Sequence, residues 1–318
     1  MHTQNERCPA FGWRSFCARG PCVDYSGSVV KGVPGLDHHA SQPIGFFDSG
    51  EGGLTVARVV AQLLPGEDLI YACDTARFPY GPRPLAEVRR FFLRFMDFFA
   101  DQGCKLVVVA CNTATAAALD LLMAADGGSS PTALPVPAMG VVAPGARAAA
   151  QRSAGGRIGV AATQGTCDSG IYLRMIARER PEAMVVQQPC PILVIRAEEG
   201  VITGPVVRAE VARSLAPLLQ AGVDTLVLGC THFPHMQAVI ADVVGPRVTL
   251  IDPGVATGHE VAAWLKARSL LNPNGQGRRR FFTTGDPDRF VEVASRLWPG
   301  GVTAAERIAM AEEVGKRE

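Results

Sequence analysis

The sequence predicts an α/β fold in which two pseudo-symmetric parallel-sheet units face each other across a cleft. Three observations predict it. From Pro43 onward, apolar runs of strand length alternate with helical segments, the βαβ order that joins parallel strands by right-handed crossovers. Two of the runs, Leu106-Val107-Val108-Val109-Ala110 and Leu226-Val227-Leu228-Gly229, each lead into a cysteine, Cys111 and Cys230, with helix-favouring residues after it. The two series also echo each other. Ile44-Gly45 leading to Asp48-Ser49 resembles Ile158-Gly159 leading to Thr163, and Gly103 and Gly222 each stand eight residues ahead of their cysteine.

Residues 1–42 are rich in Gly, Pro, Ser and Cys without a steady period, and are expected to be a mostly disordered extension. Cys8, Cys17, Cys22, His38 and His39 invite a zinc site, but the cysteine spacing is loose and the histidines are adjacent, unlike a usual zinc pattern. The first expected strand is Ile44 to Phe47, followed by the turn Asp48 to Gly53 and a helix from Leu54 to Leu64. A second strand spans Leu69 to Cys73, a helix with aromatic residues on its buried side spans Leu85 to Gln102, and a third strand spans Leu106 to Ala110. The Pro-rich stretch Pro131 to Pro137 reads as a linker to the second series. Its strands are expected at Arg157 to Ala161, Met184 to Gln187 and Thr225 to Leu228, with helices near Ser169 to Arg178 and Pro205 to Ala221. A last strand and helix are expected at Arg280 to Thr284 and Asp288 to Leu297. One unit would then comprise 43–138 with about 249–299, and the other 139–248. The tail 300–318 reads as a charged, solvated helix.

A chain of 318 residues is long enough for two domains that each bury a core. A net charge of +1, from 31 basic and 30 acidic side chains, provides no field for nucleic acid or an anionic membrane. Lysine is scarce: Lys31, Lys105, Lys266 and Lys316 are the whole set, and neither Lys105 nor Lys266 has a phosphate-binding glycine loop beside it. This argues against pyridoxal, which needs a lysine Schiff base. Nine cysteines, an odd number scattered through a long chain, favour a reduced protein over a disulfide framework. No apolar stretch has membrane-spanning length, and Arg7, Arg14 and Arg19 interrupt the start, so a cytoplasmic protein is expected.

The carboxyl ends of strands are where open α/β sheets bind small ligands. Oriented N–H groups and the helix dipole also lower a cysteine's pKa there. Two thiols in this setting suggest one acid and one base. Asp48 lies in a glycine-rich turn near the expected place of Cys111, where a carboxylate can accept a proton or orient a donor, or simply close an Asx turn. His232, beside Cys230, can switch charge near neutral pH, or be a satisfied core histidine. Cys230-x-His232-x-x-His235 has no evident fourth ligand and lacks a usual zinc spacing, so no metal is expected. The Gly50 to Gly53 turn has neither a following Lys-Ser/Thr nor a dinucleotide pattern, which argues against a nucleotide.

Six motifs in order carry a resemblance. They are Phe47-Asp48-Ser49-Gly50-x-Gly52-Gly53, Asp74-Thr75-Ala76-Arg77-x-Pro79-Tyr80-Gly81, Ala110-Cys111-Asn112-Thr113-Ala114, Ala162-Thr163-x-Gly165-Thr166, Glu198-Glu199-Gly200 and Gly229-Cys230-Thr231-His232-Phe233-Pro234. Over about residues 43–299 the chain resembles the glutamate racemases of the cofactor-independent aspartate/glutamate racemase superfamily. The resemblance implies interconversion of L- and D-glutamate, without cofactor, by two thiols on opposite faces of the substrate, to supply D-glutamate for peptidoglycan. It assigns Cys111 and Cys230 as the pair, with Asp48 assisting the first and His232 the second, and aligns Glu198 near the second. Asp48, Ser49, Tyr80, Gly81, Asn112, Thr113, Thr163, Thr166, Thr231 and His232 match positions that hold the substrate. Members of this family are often homodimers, which makes a dimer an expectation here.

Two departures stand out. Glu51 occupies the variable place in Asp-Ser-Gly-x-Gly-Gly, where relatives more often carry a small or aliphatic residue, and Arg196-Ala197 precedes Glu198 where relatives are more apolar. The two changes could pair with each other or alter affinity. Aspartate racemase is the neighbouring enzyme alternative. A non-catalytic regulator that binds an amino acid on a racemase-like fold is the alternative of a different class, and retention of both cysteines, Asp48 and His232 argues against it.

Overall fold

The structure, a computed structural model, describes residues 39–124 and 134–310. The first series begins with strand β1 (Ile44–Asp48), helix α1 (Leu54–Leu63), β2 (Leu69–Cys73), α2 (Leu85–Asp101) and β3 (Leu106–Val109). It continues through α3 (Asn112–Ala117), α4 (Leu119–Ala124), β4 (Ala138–Gly140) and α5 (Val142–Arg152). The second series comprises β5 (Arg157–Ala162), α6 (Gln164–Asp168), α7 (Ile171–Glu179), β6 (Met184–Pro189), α8 (Pro191–Glu198), α9 (Pro205–Gln220), β7 (Thr225–Gly229), α10 (Gln237–Val244) and β8 (Thr249–Ile251). Helix α11 (Pro253–Ala267), β9 (Arg279–Thr283), α12 (Pro287–Leu297) and β10 (Glu306–Arg307) close the described chain. None of these helices is long and apolar enough to cross a membrane.

Two wholly parallel sheets result, in the orders β10-β9-β2-β1-β3-β4 and β6-β5-β7-β8. The block β2-β1-β3-β4 repeats as β6-β5-β7-β8, so the echo between the two series is an echo of topology. Cys111 stands two residues past the end of β3, the third strand of its block, and Cys230 directly follows β7, the third strand of the other. The two cysteines therefore occupy corresponding ends of corresponding strands.

The pleat sorts the strand residues between cores. On β1 and β3, Ile44, Phe46, Leu106 and Val108 face a central layer that also contains Ile158, Val160, Ala162 and Val227 from the other sheet. Helices α1, α5, α7 and α11 contribute to that layer. The alternate residues Phe47, Val107 and Val109 pack on the outer side against Phe92, Phe95 and Phe99 of α2. Burying each of those phenyl rings contributes about 1.5–3 kcal/mol. Ala161, Leu226 and Leu228 instead face Leu193, Val207 and Leu215 on the outer side of the second sheet. Both sheets are covered on both faces, which is why their strands read as continuous apolar runs.

Three expectations need correction. Thr249–Ile251 pairs with β7 in the four-stranded sheet, so the chain stays with the second unit beyond 249 rather than returning to the first there. Ala138–Gly140 is a strand of the first sheet, placing part of the segment assigned to the second unit with the first. Glu306–Arg307 adds to the edge of β9 in place of the expected helix; a short helix with no packed face is marginal because its nucleation is unfavourable, whereas the sheet edge is already formed. The cysteine-rich region before His39, and the end of the chain from residue 311, lie outside the described residues.

Candidate functional site

The first thiol is held at a strand-to-helix junction. Cys111 is the N-cap of α3, and its Sγ accepts a hydrogen bond from Ala114 N at 3.5 Å. It donates to Ser49 Oγ at 3.6 Å. Asp48, at the end of β1, is completely buried. Its Oδ1 accepts from Ser49 N at 2.9 Å, and its Oδ2 accepts from Gly53 N at 2.5 Å and from the Thr231 hydroxyl at 3.1 Å. A side chain at Gly53 would place Cβ 2.8 Å from Asp48 Oδ2, and one at Gly52 would place Cβ 2.6 Å from Thr231 Oγ1. Only glycine lets this turn close over the carboxylate and lie flat against the loop of the second thiol. Burial raises Asp48 above its ordinary range, with the charge of His232 and the hydrogen bonds opposing it. Burial and then the charges of Asp48 and Cys230 push the Cys111 thiol well up, against the hydrogen bonds from Ala114 and to Ser49. Cys111 therefore keeps its proton at neutral pH.

Around the second thiol, three side chains form a chain. Cys230 Sγ lies 3.5 Å from His232 Nδ1, and His232 Nε2 is hydrogen-bonded to Glu198 Oε1. Phe78 packs on the imidazole with ring centroids 5.6 Å apart. Burial works against a charged ring, but the hydrogen bonds and charges of Cys230 and Glu198 outweigh it and hold His232 well above its ordinary value. A protonated imidazole donates from both nitrogens, which makes Cys230 Sγ and Glu198 Oε1 the two acceptors. The thiols are thus in different surroundings: Cys111 meets the Ser49 hydroxyl, and Cys230 an imidazole held well above its ordinary value. Glu199 points elsewhere and pairs with Arg196. His235 Nε2 is buried without a hydrogen-bond partner among the described residues; burial, then the charges of His232 and Arg58, lower the ring to about 4. Among the described residues, no three His, Cys, Asp or Glu side chains converge as ligands for a metal ion.

Hydroxyls and backbone groups join the two lobes here. Thr113 Oγ1 lies 2.9 Å from Thr163 Oγ1 and 3.2 Å from Thr166 Oγ1. Gly165 N donates to Gly81 O at 2.9 Å. The Tyr80 hydroxyl, however, is committed to Asp74 Oδ2 at 2.6 Å, which leaves the backbone rather than the phenol of this residue for a ligand. Asp74 also accepts from Thr284 Oγ1 at 2.7 Å and from Arg77, so it anchors the 77–81 loop to the end of β9. Sequence reasoning did not assign Asp74 a role, nor Tyr172, whose hydroxyl donates to Asn112 Oδ1. The motif around Asp74 was visible, with Arg77 and Tyr80 close by, but Thr284, the partner that ties it to the end of β9, lies 210 residues away along the chain.

Glu51 and Arg196 do not pair. Arg196 bridges Glu210 at 2.9 Å and Glu199 at 2.8 Å. Glu51 is 6% exposed and forms no salt bridge among the described residues. Burial, then the charge of Glu198, raises its carboxyl to about 7, against its own N–H and the charge of His232. A carboxyl whose pKa is higher folded than unfolded contributes stability that is complete below its unfolded value, near 4.5, and is lost as pH rises to about 7. The difference is on the order of 3 kcal/mol. Glu51→Gln should therefore melt well above the parent at pH 8 and close to it at pH 4.5; equal melting temperatures at pH 8 would show that Glu51 ionises without cost.

The Asp/Glu/hydantoin racemase family matches residues 51–261. A glutamate racemase of Symbiobacterium thermophilum is 71% identical over 268 residues, covering 84% of this chain and 94% of that one. Among solved structures, glutamate racemase isoform RacE1 from Bacillus anthracis superposes with a TM-score of 0.79 at 36% identity, over 86% of this chain and 99% of that one. The Francisella tularensis glutamate racemase, solved with D-glutamate, gives 0.76 at 31% identity, over 85% and 98%.

Proposed function

Because the chain belongs to the Asp/Glu/hydantoin racemase family, we propose that it interconverts L- and D-glutamate by passing the Cα proton between Cys111 and Cys230. The observation that carries this is the pairing of two thiols at corresponding strand ends of a repeated topology, Cys111 hydrogen-bonded to Ser49 and Cys230 beside the imidazole of His232. The 71% identity to a glutamate racemase supports glutamate as substrate.

In this mechanism, one thiolate takes the Cα hydrogen from one face, and the C–H electron pair remains on carbon. The other thiol delivers its proton to the opposite face, giving the enantiomer. Cys230, accepting from protonated His232, is the resting base, and Cys111 is the resting acid. Glu198 holds the imidazole so that Nδ1 meets the sulfur, and Asp48 fixes the turn that carries Ser49 against Cys111. After one conversion the proton states of the thiols are exchanged. The enzyme is then set for the opposite enantiomer, or resets by exchanging protons with water. The equilibrium is one to one, since enantiomers have equal free energy in water.

Ser49, Asn112, Thr113, Thr163, Thr166, Thr231 and the backbone at Tyr80 and Gly81 hold the ammonium and carboxylates. Neutral donors of this kind bind carboxylates without a cation. No cofactor enters this scheme. Each sheet with its helices forms one domain, and the product serves peptidoglycan synthesis in the cytoplasm. Circular dichroism of L-glutamate incubated with the protein and a chelator tests the function: the signal should decay to zero, and faster than with L-aspartate. A flat signal for both amino acids with folded protein would overturn it, and faster decay with aspartate would reassign the substrate.

A further inference from the structure

Tyr172, on α7, is fully buried in the central layer, and its hydroxyl donates to Asn112 Oδ1 at 2.8 Å. Asn112, also buried, opens α3 immediately after Cys111. The bond therefore runs from the lobe of the second thiol to the residue beside the first. Burial, followed by the charges of Asp252 and Cys230, pushes the Tyr172 phenol up, so its proton is always available to donate.

A primary amide has one accepting end and one donating end. With Oδ1 taken by the phenolic proton, Nδ2 faces away from Tyr172, and it donates to no described residue. Asn112 lines a small cavity together with Cys230, Thr231 and Asp252. The reversed amide would leave the buried phenolic proton without its acceptor, an arrangement that burial penalises. It would also present an oxygen, not an N–H, to an anionic ligand.

We infer that Tyr172 is a positioning residue for the racemisation, fixing the Asn112 side chain so that Nδ2 is offered to a carboxylate of the amino-acid substrate. This rests on Asn112 holding substrate, as proposed above. The function of Tyr172 is then orientation at a distance, since its own hydroxyl is spent on the amide and does not meet the ligand.

The test is a double-mutant cycle with Tyr172→Phe, Asn112→Ala and the two combined, reading KM and kcat for L-glutamate beside the thermal midpoint. Tyr172→Phe keeps the ring and its packing. It should raise KM about threefold to tenfold with kcat little changed, and add nothing in the Asn112→Ala background, where KM is already higher. An unchanged KM with a lowered thermal midpoint would reduce Tyr172 to a packing role and overturn the inference. Effects that multiply in the combined variant would overturn it too, by showing that Tyr172 acts on something other than Asn112. Asn112→Ala with an unaltered KM would instead remove the substrate-holding role of Asn112, and the inference with it.

Discussion

Replacing Cys111 with serine should lower racemisation of both enantiomers by about 10²–10⁴-fold, and Cys230→Ser should do the same. In the proposed mechanism each thiol has a task that the other cannot take over, because they stand at the ends of two different sheets and beside different neighbours. A hydroxyl in either place retains the hydrogen bonds but does not ionise near neutral pH, so a base is lost in one direction and a matched acid in the other. Serine is also smaller than cysteine in these buried positions, so thermal midpoints close to the parent would confirm that the loss is chemical. Near-native turnover in either variant would remove that cysteine from the reaction.

The second large effect concerns the asymmetry between the thiols. At pH 7, iodoacetamide should label Cys230 ahead of Cys111, with peptide mass spectrometry reporting the order. Both thiols are buried, so access alone does not separate them. What differs is the neighbour: Cys230 lies 3.5 Å from the ring of His232, which its hydrogen bonds to Cys230 and Glu198 hold well above its ordinary value, whereas burial and the charge of Asp48 push the Cys111 thiol up. His232→Asn should lower kcat by about 10²-fold or more and abolish the preferential labelling of Cys230. Preferential labelling of Cys111 in the parent protein would reverse the assignment of resting acid and base.

Long apolar runs made most of the fold legible. The strands beginning at Ile44, Leu69, Leu106, Arg157 and Thr225 lie between helical layers on both faces, and continuous burial writes itself into sequence as continuous hydrophobicity. Short edge strands leave no such mark. Ala138–Gly140 and Thr249–Ile251 have three residues each and are recognisable only beside the neighbour that pairs with them. Helix α5 was not among the expected elements, and it carries a proline and a glycine near its start, Pro144 and Gly145. Pro144 falls in the first turn, where a missing N–H costs nothing, and Gly145 faces Pro253 at a separation where a Cβ would come within 2.8 Å.

The site divides in the same way. Its local parts, Cys111 capping α3 and the Cys230-x-His232 pair, follow from a strand end meeting a helix or turn. Its long-range parts do not. Nothing local tells that Thr231 reaches Asp48, that Thr284 reaches Asp74, or that Arg196 pairs with Glu210 rather than Glu51. Each of those partners is set by how the lobes and helices pack, which one-dimensional pattern does not encode.

The two-thiol transfer itself is tested most directly by running the reaction from L-glutamate in deuterium oxide and following the Cα hydrogen at low conversion by mass spectrometry or NMR. The acid thiol exchanges with solvent before it donates. Product D-glutamate should therefore carry deuterium at Cα from the first turnovers, while the remaining L-glutamate stays protiated. Early product that retains the substrate's own hydrogen would mean that a single group serves both faces, and would contradict the assignment of Cys111 and Cys230 as opposed acid and base.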